Sequence, residues 1–247
     1  MDFLEINLSG EPGMAIIGMV AFGGGLIRGF TGFGGPAFIL AILTLFFTPY
    51  SIVGKILVVD FIASVYLFKA IYRQIDWRAT AYLVIPTLLF IPLGHWLLIE
   101  LDPLWMKRAM ALIISAACVM MLIGFRYRHP LTTSWLILIG CSAGLIFGGT
   151  YIALLAVVCI LLGPYDKHAG RTLIISWSFF TVLGFALVSV VSGTTGIDDV
   201  ITAAPGAATY MLGTWIGSHG FRKSSEKLFR RAAIVTLLVL SIINLVI

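Results

Sequence analysis

Eight stretches of this chain run without one Asp, Glu, Lys or Arg: residues 12–27, 29–54, 79–99, 109–125, 130–165, 172–197, 200–221 and 232–247. A further apolar run, 56–68, is broken only by Asp60. About 20 apolar residues carry a helix across the ~30 Å hydrocarbon core of a bilayer, so such a chain folds as a set of membrane crossings. Its composition, 60% apolar and 11% charged, agrees, because charged residues make up about a quarter of a soluble domain. The mean hydropathy of +1.06 leaves no polar stretch long enough for a separate soluble domain, which excludes a soluble enzyme held by a single anchor. The net charge of +5 is scattered between apolar runs rather than gathered on one stripe, so nucleic-acid binding is excluded as a leading idea. The first fourteen residues carry Asp2, Glu5 and Glu11 but no basic residue, unlike a secretory leader, and read as mature sequence. Cys118, Cys141 and Cys159 lie inside apolar runs; they read as small buried hydrophobes, and no disulfide is expected.

Residues 79–99 and 200–221 have the length of ordinary crossings, but two regions do not. The short segments 14–27 and 36–47 flank the glycine-rich run Gly29-Phe30-Thr31-Gly32-Phe33-Gly34-Gly35, and 132–146 and 150–162 flank Phe147-Gly148-Gly149 in the same way. Further landmarks recur in order. Phe147 lies 114 residues after Phe33, Gly170-Arg171 lies 116 after Gly54-Lys55, Leu212-Gly213-Thr214-Trp215 lies 119 after Leu93-Gly94-His95-Trp96, and Arg230-Arg231-Ala232 lies 123 after Lys107-Arg108-Ala109. The slow upward drift is what small loop insertions produce, so the chain reads as a duplication: residues 1–125, a linker at 126–130, and residues 131–247. The expected fold is an all-α polytopic membrane protein. Each repeat holds a short glycine-interrupted helix pair and three transmembrane helices.

Five segments per repeat is an odd number. Whether the short pair crosses twice or folds back as a re-entrant hairpin, it returns to its side of entry, so the second repeat starts on the opposite side of the membrane and the repeats are inverted. Basic residues sort accordingly, since cytoplasmic loops collect Lys and Arg. Lys69, Arg73, Arg78, Arg126, Arg128, Lys167, Arg171, Arg222, Lys223, Lys227, Arg230 and Arg231 fall on one side, only Lys55, Lys107 and Arg108 on the other. The richer side is assigned to the cytoplasm, which puts both termini outside.

Inverted repeats with glycine-interrupted short helices at matching positions point to a transporter site at the bilayer midplane, because irregular backbone at that depth persists only where protein or water satisfies it. Helices starting at Pro36 and Thr150 would each aim an N-terminus at the middle, and two such termini make an anion site. The expected substrate shell is the backbone N–H groups near Gly34, Gly35, Gly148 and Gly149, with Arg28, Thr31 and Thr150. Arg28 is the natural cation for an anionic substrate; the alternative is that it snorkels or pairs with Asp60. Asp60, whose repeat counterpart at an offset of 116 is Ser176, would either couple transport to protons or orient a cation. Lys55 and Arg171 would funnel anions or anchor helices at the interface, and Trp96 and Trp215 read as interfacial belt residues. The pairs Gly25 and Gly29, Gly140 and Gly144, and Gly213 and Gly217 have the spacing of tight helix contacts. His95, His129, His168 and His219 make no cluster at metal-ligand spacing. With no nucleophile–base pair or phosphate loop either, neither an enzyme nor a cofactor is expected.

These residues resemble the TauE/SafE family of bacterial sulfite exporters and organosulfur anion permeases. The matching pieces are RGFTGFGG at 28–35, VDFIAS at 59–64 with IDWR at 75–78, IPLGHWLL at 91–98 with LDP at 101–103, and LGTWIGSHGF at 212–221. The resemblance implies export or exchange of sulfite, sulfoacetate or related organosulfonates across a bacterial inner membrane. The partners expected are that small anion, the lipid bilayer and, as an optional assembly, a homodimer. An uncoupled channel-like facilitator for a small solute is the other reading, and Asp60 discriminates, because a passive pore needs no titratable group in a helix. The second repeat has no arginine equivalent to Arg28.

Overall fold

The computed structural model describes residues 11–43, 49–100, 123, 132–150, 154–225 and a few positions between 227 and 236. The sequence-derived linker at 126–130, most of the apolar run 109–125, most of 232–247 and the first ten residues lie outside the described residues. Among those described the elements are helical and no strand occurs. They are α1 (Glu11–Thr31), α2 (Gly35–Leu43), α3 (Pro49–Ile71), a 3-10 turn at Tyr72–Gln74, α4 (Trp77–Glu100), α5 (Thr133–Thr150), α6 (Leu154–Leu161), α7 (Lys167–Val191) and α8 (Ile197–Lys223).

A long helix, a short one and two long ones occur twice in that order. α5 ends 119 residues after α1, α6 starts 119 after α2, α7 starts 118 after α3 and α8 starts 120 after α4. The described nine residues of α2 and eight of α6 span ~12–14 Å at 1.5 Å per residue, less than half the hydrocarbon thickness. By length and composition, Trp77–Leu97 and Lys167–Val191 are long and apolar enough to cross a membrane.

Acidic side chains fix several starts. Asp76 accepts the N–H groups of Arg78 and Ala79, each at 3.0 Å, at the head of α4. Asp166 accepts that of Ala169 at the head of α7, and Asp199, in the first turn of α8, accepts that of Gly196. Each oxygen satisfies a donor that the first helical turn leaves unpaired.

Glycine decides the helix pairs. α1 lies on α8 with reciprocal contacts: a Cβ at Gly25 or Gly29 would strike the carbonyls of Tyr210 or Thr214, and a Cβ at Gly213 or Gly217 would strike those of Phe22 or Leu26. α4 lies on α5 likewise, with Gly140, Gly144 and Gly148 stepping along Leu83, Thr87 and Ile91, and Gly94 facing Leu145. Between apolar helices in lipid, such close backbone approach supplies the packing that hydrophobic burial supplies in water. α3 and α7 fill the space between the two pairs, α3 touching α7 and α8, and α7 also touching α4.

Apolar side chains cover the outside of the bundle as well as its core. Leu89, Leu138, Leu187 and Val191 face outward, as do Trp96 and Trp215, while Arg28, Asp60, Thr87 and Arg171 are buried. That distribution suits lipid outside and a few polar groups held within a mostly apolar interior.

Candidate functional site

α1 ends where its sequence turns to glycine. Gly32 and Gly34 have φ of +87° and +81°, a backbone region that side-chain-bearing residues rarely occupy, and together they reverse the chain within three residues. The Thr31 hydroxyl lies 2.7 Å from the Phe33 carbonyl and 2.8 Å from that of Ile27, and it accepts the Phe33 N–H. Thr31 is therefore engaged in bracing the turn. The Phe38 N–H donates to the Gly34 carbonyl, so α2 begins immediately after Gly34. The N–H groups of Gly35 and Ala37 then have no acceptor within the helix, and Pro36 has none to offer.

Two guanidinium groups hold this turn. Arg171 of α7 donates from Nε to the Phe30 carbonyl at 3.2 Å and from Nη2 to that of Gly29, and it lies over the Phe221 ring at 4.1 Å. A cation on the last carbonyls of α1 complements the negative end of that helix. Arg28, 2% exposed, donates from Nη1 to the Gly32 carbonyl and from Nη2 to Ser64 Oγ at 2.7 Å. Its Nε lies 3.0 Å from Asp60 Oδ1 as an ion pair. The Tyr210 hydroxyl donates to the same carboxylate oxygen at 3.0 Å. Asp60 and Ser64 share a face of α3 because they are four residues apart, so one turn of α3 presents both partners to Arg28.

This cluster borders a cavity of about 20 Å³, space for a single water molecule. Arg28, Gly34, Pro36, Ala37 and Asp60 line it from α1 to α3; Phe147, Trp177, Ser178, Thr181 and Val182 line it from α5 and α7. Trp177 donates its indole N–H to Thr87 Oγ1, and the Thr181 hydroxyl donates to the Trp177 carbonyl. Ser178 is 3% exposed and its Oγ has no hydrogen-bond partner. Geometrically, the cavity combines a buried cation, a carboxylate that neutralises it, a helix N-terminus and an uncommitted hydroxyl.

A family model described as sulfite exporter TauE/SafE matches residues 17–244. The chain belongs to the TauE/SafE family. Its members are membrane transporters of sulfite and organosulfur anions, and this TauE/SafE protein is accordingly a membrane protein of anion export. No curated protein and no solved structure matches the chain.

Within this TauE/SafE chain the sequence-derived candidates fall into three groups. Arg28, Gly34 and Asp60 line the cavity, and Gly35 sits directly behind it, where a Cβ would meet Arg28 Cβ and the Tyr210 hydroxyl. Thr31 and Arg171 brace the turn. Gly148, Gly149 and Lys55 lie apart from the cavity lining. α5 runs helically through Phe147-Gly148-Gly149 to Thr150, and Gly148 packs on the Ile91 carbonyl. The described part of the second short helix is Leu154–Leu161, and residues 151–153 and the Thr150 side chain lie outside the described residues. Lys55 is partly exposed and 3.9 Å from Asp199. Ser64, Tyr210, Ser178 and Thr181 were not singled out from sequence. Ser64 had a signal in its four-residue spacing from Asp60, whereas the other three come from distant segments.

Proposed function

We propose that this protein exports small sulfur-containing anions, sulfite, sulfoacetate or related organosulfonates, by binding them at the Arg28 cavity in exchange for the Asp60 carboxylate. The observation that carries the reading is the buried Arg28–Asp60 ion pair at the N-terminus of α2. A guanidinium buried at this depth needs a counter-charge, and Asp60 supplies it. An incoming oxyanion competes with Asp60 for Arg28, and two anions cannot share one cation in a closed low-dielectric site. Protonation of Asp60 removes the conflict: the carboxyl becomes neutral, and Arg28 turns its charge on the anion. The cavity is net neutral in both states, Arg28 with ionised Asp60, or Arg28 with the anion and protonated Asp60. One proton therefore moves with each anion.

Gly34 and Gly35 let the head of α2 approach the anion, and its N–H groups offer partial positive charge without a second full cation. Arg171 acts by positioning the turn. We further infer that residues 1–125 and 131–247 are inverted repeats about the linker 126–130, with both termini outside the cytoplasm of a bacterial inner membrane. The recurring helix order and the near-constant offset of element boundaries support the duplication.

Proteoliposome flux with sulfite, thiosulfate, sulfoacetate and taurine, with and without a pH gradient, tests the reading. It expects flux of at least one sulfur anion, with acidification following the anion. Flux that is indifferent to the gradient favours the uncoupled facilitator. In Asp60→Asn, gradient-driven flux is lost while anion exchange persists; unchanged gradient dependence removes Asp60 from the mechanism.

A further inference from the structure

The second half of the chain was expected to contribute to the anion site through its own glycine pair, yet Gly148 is spent on helix packing against Ile91. What α7 brings to the cavity is Ser178. Its side chain is almost wholly buried, lines the cavity and leaves Oγ without a hydrogen-bond partner. A buried hydroxyl left unpaired is costly, and in native structures such a group calls for a physical explanation. The other polar side chains that line the cavity have partners: Arg28 with Gly32, Ser64 and Asp60, Asp60 also with the Tyr210 hydroxyl, and Thr181 with the Trp177 carbonyl.

We infer that Ser178 is a substrate-binding residue whose hydroxyl donates a hydrogen bond to an oxygen of the transported anion. The inference rests on the reading that the anion occupies the Arg28 cavity, which widens beyond its present space for one water molecule as Asp60 leaves Arg28. Donors then reach the anion from three elements: the guanidinium of Arg28, the N–H groups at the start of α2, and Ser178 of α7. Three convergent donors suit a three-oxygen sulfur head group, in which each oxygen accepts from a different element. Ser178 stands two residues beyond Ser176, the position that an offset of 116 matches to Asp60. The first half thus brings a carboxylate to the cavity and the second a hydroxyl. The charged half sets the proton requirement, and the neutral half supplies a donor that costs no additional charge in the bilayer.

Sulfite binding to the full-length protein in nanodiscs, measured by isothermal titration, tests this with Ser178→Ala, Ser178→Thr and Arg28→Gln. Hydrogen bonds to charged groups are among the stronger ones, so Ser178→Ala raises the dissociation constant about tenfold or more, and Ser178→Thr, which keeps the donor, recovers most of that loss. Wild-type affinity in Ser178→Ala, or equal loss in Ala and Thr variants, overturns the assignment. Arg28→Gln separates the two levels. If it abolishes binding while Ser178→Ala has none of the expected effect, only the role of Ser178 falls; if Arg28→Gln binds as wild type, the cavity itself is not the site.

Discussion

The turn after α1 and the glycines of α5 share a composition and do different work. Around Gly32 and Gly34 the backbone takes positive φ, the helix stops, and two arginines hold the exposed carbonyls. At Gly148 the helix continues, and the missing side chain admits the backbone of α4. Glycine near a helix end therefore has two meanings, a break or a close contact, and the charged residue beside it decides. Arg28 flanks the first run; the second has no cation. The difference also explains why one half supplies the charges of the site and the other supplies Phe147, Trp177 and Ser178.

Four substitutions break or sharpen this contrast. The largest effect belongs to Arg28→Gln, which removes the full positive charge that, among the described residues, lines the cavity; losing a buried charge and its charge-assisted hydrogen bonding lowers anion affinity about a hundredfold, as titration would register. Gly34→Val comes next. A β-branched residue at φ of +81° displaces the head of α2, and forcing a left-handed conformation costs roughly 1–2 kcal/mol before any clash, so affinity falls about tenfold. Ser64→Ala frees one arm of Arg28 and weakens binding about threefold to tenfold. Gly148→Ala has no effect on affinity but lowers thermal stability, because overpacking at a tight contact costs about 1–3 kcal/mol. Unfolding and binding measured on the same purified variant separate the two: reduced affinity with unaltered stability at Gly148 would erase the distinction between the hairpins.

Much of the architecture was legible as periodic loss of charge. The long helices α4, α7 and α8, and Arg28 and Asp60 as the charges interrupting apolar runs, follow from where Lys, Arg, Asp and Glu fall, whereas the first member of each expected short pair is long, α1 with 21 residues and α5 with 18. The spacing of Gly25 and Gly29, and of Gly213 and Gly217, read correctly as packing because small residues at four-residue intervals lie on one helix face. What resisted was the alignment of the hairpins. Matching Phe33-Gly34-Gly35 to Phe147-Gly148-Gly149 at an offset of 114 puts break against helix, whereas the element boundaries run at 118–120. Backbone φ, which separates the two, is not written in a Gly-Gly pair. Tyr210 and Ser178 stayed hidden for another reason: each joins Asp60 or its cavity across more than a hundred residues, and no local pattern marks a hydroxyl as uncommitted.

Proton uptake on anion binding is the direct test of the central claim that the substrate displaces Asp60 from Arg28. Titrating the purified protein with methanesulfonate, whose own charge is fixed across the range, in buffers of different ionisation enthalpy yields the number of protons taken up per anion. The linkage has one sign: if the anion-bound state holds one more proton, affinity falls as pH rises wherever free Asp60 is ionised. The expected result is about one proton per anion for the wild type and none for Asp60→Asn, which binds with a pH-independent affinity. Binding without proton uptake in the wild type, or equal uptake in Asp60→Asn, would contradict the account.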